Sequence, residues 1–155
     1  MQKLDSLRAA IAAVLPELQR SPENLRIWIE RGAGRCQGTR TDAFGFSFQA
    51  SVLIVEMQSD IRVVAHAVFR WLRVHQPDLL TPGRDGFTFD ADILDNGTAD
   101  LLLQIQLTQN VTVAPRPNGQ YDLAYLTEPD PLFHDDDGFA GVVPVPPLAG
   151  VDLDG

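Results

Sequence analysis

The densest group of side chains able to do chemistry lies in "AVFRWLRVHQPDLL", residues 67–80, where Arg70, Trp71, Arg73 and His75 interrupt an apolar run that stops at Pro77. Guanidinium groups beside an aromatic ring could hold the phosphates and bases of a nucleic acid, or form the charged face of a helix that meets another protein. Arg62 and His66 continue the same polar side upstream. A second group, Asp90, Asp92 and Asp95, could offer hard oxygen ligands to a cation. It lacks the bidentate Glu and the remaining positions of a calcium loop, so a solvated strand face is the favoured reading. "HDDD", residues 134–137, could hold a metal through His134 and its carboxylates, but in an acidic tail such a run more often serves solvation.

Nucleophilic and acid–base constellations are weaker still. Cys36 as a nucleophile would need a base, which His66 or His75 could supply only if the fold brought them together. The two histidines are nine residues apart in one predicted helix, too far along it to chelate one ion. Glu30 and Glu56 would act as paired carboxylates only if their strands lined a pocket. The glycines of "AGRCQGTRTDA", residues 33–43, are followed by no Gly-Lys-Ser/Thr and run into a strand, so a phosphate loop is excluded. No catalytic residue, cofactor or metal is expected from these patterns.

Composition narrows the classes. A chain of 155 residues, 45% hydrophobic and 21% charged, fits one soluble domain with its own core. No apolar run approaches the ~18–20 residues of a membrane span, and the first residues lack the basic, apolar and small-residue regions of a secretory signal. With Cys36 as the sole cysteine, a disulfide framework is impossible and a reducing compartment is expected. The formal charge of −9 is uneven: residues 1–84 hold 11 basic and 8 acidic side chains, a balance of +3, while residues 85–155 hold 1 and 13, a balance of −12. An acidic half opposes binding to phosphate backbones, so sequence-specific nucleic-acid recognition is not expected.

The elements that must position these residues follow from periodicity. Leu4, Leu7, Ile11, Val14, Leu15 and Leu18 recur at helical steps, with Pro16 kinking or ending the helix. Leu25, Ile27 and Ile29 alternate with Arg26, Trp28 and Glu30 in a strand, and residues 33–43 read as a flexible connection. Residues 44–58 form a long strand that becomes continuously apolar at Val52–Val55. Ser59 or Asp60 caps a helix over residues 61–76, with Ile61, Val64, Ala65, Val68 and Leu72 inward and Trp71 at the edge of the stripe. Two alternating runs around Asn96-Gly97 predict an antiparallel hairpin, one with Phe87, Phe89, Ala91 and Ile93 on a single face. The fold class is therefore α+β, two helices packed on a mostly antiparallel sheet of about four strands in the order α-β-β-α-β-β. Residues 1–126 form the domain, and the proline-rich, acidic residues 127–155 an extended arm.

Several of these segments together resemble a known family. "VFRWLRVHQPDLL" followed by "GFTFDADILDNGTADLLLQIQLTQNVTV" is similar to the tail completion protein R family of contractile-tailed temperate phages, with its W-L-x-x-x-Q-P-D and G-F-T-F-x-A-D-I motifs. The stretches "DSLR" and "SPENLRI" fit the start of that family, and the resemblance covers roughly residues 4–112. It is carried by Trp71, Leu72, Gln76, Pro77, Asp78, Gly86, Phe87, Thr88, Phe89, Ala91, Asp92 and Ile93.

The resemblance implies a structural protein of a phage tail or tail-like bacteriocin, assembled in the bacterial host cytoplasm. Its implied partners are copies of itself in a cyclic ring, a hexamer in the family pattern, together with tail tube and sheath proteins and neck or head-completion proteins. Such a ring would stop tube and sheath growth and make the surface that the head joins. On this reading Arg62, Arg70, Arg73, His75, Asp90 and Asp92 are candidates for subunit or partner interfaces. The alternative from a different class is a small cytosolic α+β enzyme or ligand-binding domain without a recognisable motif.

Overall fold

The computed structural model of the chain describes residues 1–36 and 42–126. The arm expected over residues 127–155, with His134 and Asp135–Asp137, lies outside the described residues. Three helices and five strands follow in the order α1 (Gln2–Val14), α2 (Glu17–Arg20), β1 (Leu25–Cys36), β2 (Phe44–Met57), α3 (Ile61–His75), β3 (Thr88–Ile93), β4 (Ala99–Pro115) and β5 (Tyr121–Tyr125). Short 3-10 turns at Pro22–Asn24 and Pro77–Leu80 close the ends of α2 and α3. The fold is α+β, as expected.

The first helical segment is interrupted where Pro16 demands it. Leu15, the residue before the proline, takes extended backbone (φ −115, ψ 102), and the chain resumes as the single turn α2. The Glu17 carboxylate at the start of α2 reaches the loop between β2 and α3, accepting the N–H groups of Gln58 at 2.7 Å and Ser59 at 2.8 Å. Burial pushes this carboxyl up, but the backbone donors of Glu17, Ser59 and Gln58 outweigh it and hold it below the usual range. Asp60 caps α3, its Oδ1 accepting the Arg62 N–H at 2.8 Å.

The sheet is antiparallel throughout, in the order β1-β2-β4-β3, with β5 also paired to β4. One face is the core: Phe48, Ala50, Val52 and Ile54 of β2 stand beside Leu107, Ile105, Leu103 and Leu101 of β4. Leu7, Ile11 and Leu15 of the N-terminal segment and Val64, Val68, Trp71 and Leu72 of α3 pack onto it. The inward stripe of α3 is wider than periodicity predicts, because α1 lies alongside and buries Ala67 and Trp71 as well.

Three differences from expectation have local causes. β1 does not end at Gly32 but continues through Ala33–Cys36 beyond a bulge, with Arg31 at φ 54 breaking the two-residue alternation. β5 adds a fifth strand after a turn in which Gly119 takes φ 74 and the Arg116 N–H donates to the Gln120 carbonyl at 2.7 Å. Every residue of β3 is exposed. The strand overhangs the helical layer, leaving Phe89 53% and Ile93 76% exposed on the face expected to be inward.

Candidate interaction surfaces

The outer side of α3 is the first surface. Arg62, His66, Arg70 and Arg73 are all exposed, interleaved with exposed Val63, Phe69 and Val74. Arg62 is tied to Asp60, its Nε 3.0 Å from Oδ1, in a solvated pair that contributes little to stability. The other ion pairs among the described residues are Arg84–Asp78 and Arg116–Asp122, so Arg70 and Arg73 have no carboxylate partner there. Guanidinium groups among apolar side chains are the composition of a protein-contact face.

His75 does not share that face. It turns toward α1, stacked on the Trp71 ring with centroids 4.8 Å apart, and its Nε2 lies 3.3 Å from Ser6 Oγ. Ser6 Oγ also accepts the Trp71 indole N–H at 3.0 Å, so one hydroxyl joins both rings to α1. Burial lowers the His75 pKa below its usual 6.5, with the positive charge of Lys3 adding to the effect. Trp71, only 5% exposed, is a core residue rather than a stripe-edge one.

Behind His75 the chain solves an open-edge problem. Val111 of β4 pairs with Phe44 on one side and Tyr125 on the other, so β5 lies on the side of β4 away from β2. That side also carries β3, which pairs with Ala99–Gln104. Between these two short strands the edge of β4 around Thr108 meets no strand among the described residues. Gln76 stands in: its Oε1 accepts the Thr108 N–H at 3.0 Å, while the Lys3 ammonium donates to the Thr108 carbonyl. Lys3 also donates to Gln76 Oε1 at 2.9 Å, and Gln76 Nε2 donates to Asp78 Oδ1 at 2.6 Å. Gln76 and Lys3 are both buried, so these contacts supply the satisfaction that buried polar groups require. The Q-P-D residues thus have a structural duty, and sequence reasoning did not find Lys3 at all. The one available signal was a polar residue at a helix end before proline.

The second surface is the sheet face away from the helices. Asp90 pairs in register with Leu102 and Asp92 with Asp100, so both carboxylates point to that side at the β3 edge. Near the β1 edge of the same face, Glu30 accepts from Trp28 Nε1 at 3.1 Å, Gln49 Nε2 at 3.0 Å and Ser51 Oγ at 3.2 Å. The Trp28 N–H is the largest influence holding the Glu30 carboxyl below its ordinary value. Glu56 lies at the far end of β2, where its N–H donates to Asp100, so it forms no carboxylate pair with Glu30.

The six candidate interface residues therefore fall into three places. Arg62, Arg70 and Arg73 lie outside the helical layer, Asp90 and Asp92 on the opposite face, and His75 between helices. Cys36 is exposed at the end of β1, its Sγ 3.6 Å from the Ala43 carbonyl, while His75 is engaged with Ser6 and Trp71 on the helices. Among the described residues no group of three or more His, Cys, Asp or Glu side chains could hold a metal ion, and no helix is long and apolar enough to cross a membrane.

Comparison with known proteins gives these surfaces a context. Residues 1–129 match the family model described as P2 phage tail completion protein R (GpR). The Tail completion protein R of Escherichia phage P2 is 29% identical over 134 residues, covering 84% of this chain and 86% of that protein. No solved structure matches the chain.

Proposed function

The chain belongs to the P2 phage tail completion protein R family, a family of phage tail structural proteins, and from that premise we propose that it completes the tail as a closed ring of identical subunits at the head-proximal end. The ring ends growth of tube and sheath and offers the surface to which the head joins. Its partners are further copies of the chain, sixfold in the family pattern, the tail tube and sheath proteins below, and neck or head-completion proteins above. Assembly takes place in the bacterial host cytoplasm, and the finished subunit resides in the virion tail or a tail-like particle.

The observation that best supports this reading is the presence of two unlike exposed surfaces on one packed core. Arg70 and Arg73, without carboxylate partners among the described residues, project from the helical layer, and Asp90 and Asp92 occupy the opposite face at a sheet edge. A cyclic ring uses two different patches of each subunit, and an axial partner needs a third region. In this reading Arg62, Arg70 and Arg73 meet a tail or neck protein, and Asp90 and Asp92 face the neighbouring subunit. His75 supports the contact indirectly by holding α3 against α1. The reading is tested by measuring the mass of the full chain, alone and with purified tail tubes. A discrete ring, free or bound to tube ends, is expected; monomers under both conditions would overturn it.

A further inference from the structure

We propose that neighbouring subunits join by adding β1 of one copy to β3 of the next, so that their sheets continue into each other as one antiparallel sheet. The inference rests on the ring reading above and names the surfaces by which the ring closes.

The free edges invite it, with β1 on one side of the sheet and β3, followed by β5, on the other. In the order β1-β2-β4-β3 the terminal strands are β1 and β3, and among the described residues neither outer edge pairs with a strand. An open edge presents a row of unpaired N–H and C=O groups, which is a template for another strand. Strand direction suits a head-to-tail joint. Each neighbouring pair is antiparallel, so β1 runs with β4 and against β2 and β3. A second copy carried around an axis along the strands brings its β1 antiparallel to β3 with no subunit turned over.

The two faces match as well. On the helix side β3 offers Phe89 and Ile93, in register with the core-facing Leu103 and Ala99, and β1 offers Ile27 and Ile29, in register with Val52 and Ala50. Phe89, Ile93 and Ile29 are 53%, 76% and 41% exposed in the single subunit, which is apolar surface that a neighbour would cover. On the opposite face β3 carries Asp90 and Asp92, and β1 carries Arg26, Trp28 and Glu30. An antiparallel joint with Arg26 opposite Asp92 sets Ile29 opposite Phe89 and Glu30 opposite Thr88, so apolar side chains meet apolar ones and the guanidinium meets a carboxylate.

The symmetric alternatives fit less well. A twofold pairing of β3 with β3 would set Asp90 and Asp92 against their own copies or each other, and a twofold pairing of β1 with β1 would leave the exposed Phe89 and Ile93 of β3 uncovered. Like charges across neighbouring strands are destabilising. Joining the unlike edges covers apolar side chains on both strands, and contacts between unlike edges form rings when the rotation closes.

Charge reversal on the full chain tests the joint, with native mass spectrometry as the readout, alone and with tail tubes. Asp90→Lys with Asp92→Lys, or Arg26→Glu by itself, should lower the ring fraction by about tenfold or more, because every interface repeats the repulsion. All three changes in one chain should restore most of the rings. The residues are exposed, so melting curves should match the unaltered chain; the milder Asp90→Asn with Asp92→Asn should give an intermediate loss. If every reversed variant forms rings as the unaltered chain does, these edges are not the joint, although the ring stands. Loss of rings that the combined variant fails to restore would overturn the pairing and assign the edges to another partner. An unaltered chain that forms no ring under either condition overturns both the joint and the ring.

Discussion

The carboxamide of Gln76 lies against the backbone of Thr108, 32 residues further along the chain, with Oε1 accepting the Thr108 N–H at 3.0 Å and Nε2 donating to Thr108 Oγ1 at 3.0 Å. A side chain does here what a neighbouring strand does elsewhere in the sheet. It also ties the end of α3 to the one stretch of β4 that β3 and β5 leave uncovered, with Lys3 of α1 completing the junction.

Gln76→Ala should therefore destabilise the subunit by roughly 2–4 kcal/mol, since each buried polar group deprived of its partner costs about 1–3 kcal/mol. Gln76→Glu keeps an acceptor for the Thr108 N–H but sets a second carboxylate beside Asp78. Adding Asp78→Asn should recover part of that loss. Urea titration checks both, and an unchanged midpoint for Gln76→Ala would mean that water replaces the carboxamide without cost.

Trp71→Ala removes a ring that is 5% exposed and bonded to Ser6, and should cost about 3–5 kcal/mol in the same titration. Retained stability would show that α1 and α3 close over the gap.

Acidification should weaken the fold through His75. Its pKa in the folded chain lies below 6.5 because of burial and the nearby Lys3 charge. As pH falls through about 6.5 toward the lowered folded value, the unfolded chain takes up a proton that the folded chain resists, so stability declines. Above that window the group contributes no pH dependence. Glu17 and Asp60, both held below their usual 4.5 and 3.8, lose their stabilising effect only at lower pH. Melting temperature measured between about pH 7.5 and 5.5 should fall for the unaltered chain and fall less for His75→Gln. Equal slopes would contradict the assignment to His75.

Arg70→Glu with Arg73→Glu should leave stability within about 0.5 kcal/mol per substitution, because both side chains are exposed. Tail completion, scored by infectious or fully assembled particles, should be lost. Normal completion would return the arginines to a merely solvated face.

Much of the frame was legible because strong periodicity reports burial directly. The alternation Leu101, Leu103, Ile105, Leu107 and the helical recurrence Val64, Val68, Leu72 each mark the face that the structure buries. Asn96-Gly97 marked its hairpin, where Gly97 takes φ 83. Local signals failed where distant elements decide. Alternation on β3 suggested a buried face, yet the helical layer is too narrow to cover Phe89 and Ile93, a property of the layer and not of the strand. Residues Ala33–Cys36 lost their alternation at the bulge around Arg31. Among the candidate site residues, the exposure of Arg70 and Arg73 followed from helical geometry. His75 stacks on Trp71 as residues four apart on a helix can, but both rings turn to Ser6 of α1, and the His75 contact there joins residues 69 positions apart. No period in the sequence encodes that proximity.

A chain that completes a phage tail leaves tails unfinished when it is missing. Electron microscopy of tails assembled in cells lacking its gene, beside the same cells supplied with the full chain, shows whether that holds. Tails made without it should vary in length or fail to join heads, with restoration by the full chain. Tails of normal length that join heads efficiently in its absence would contradict it.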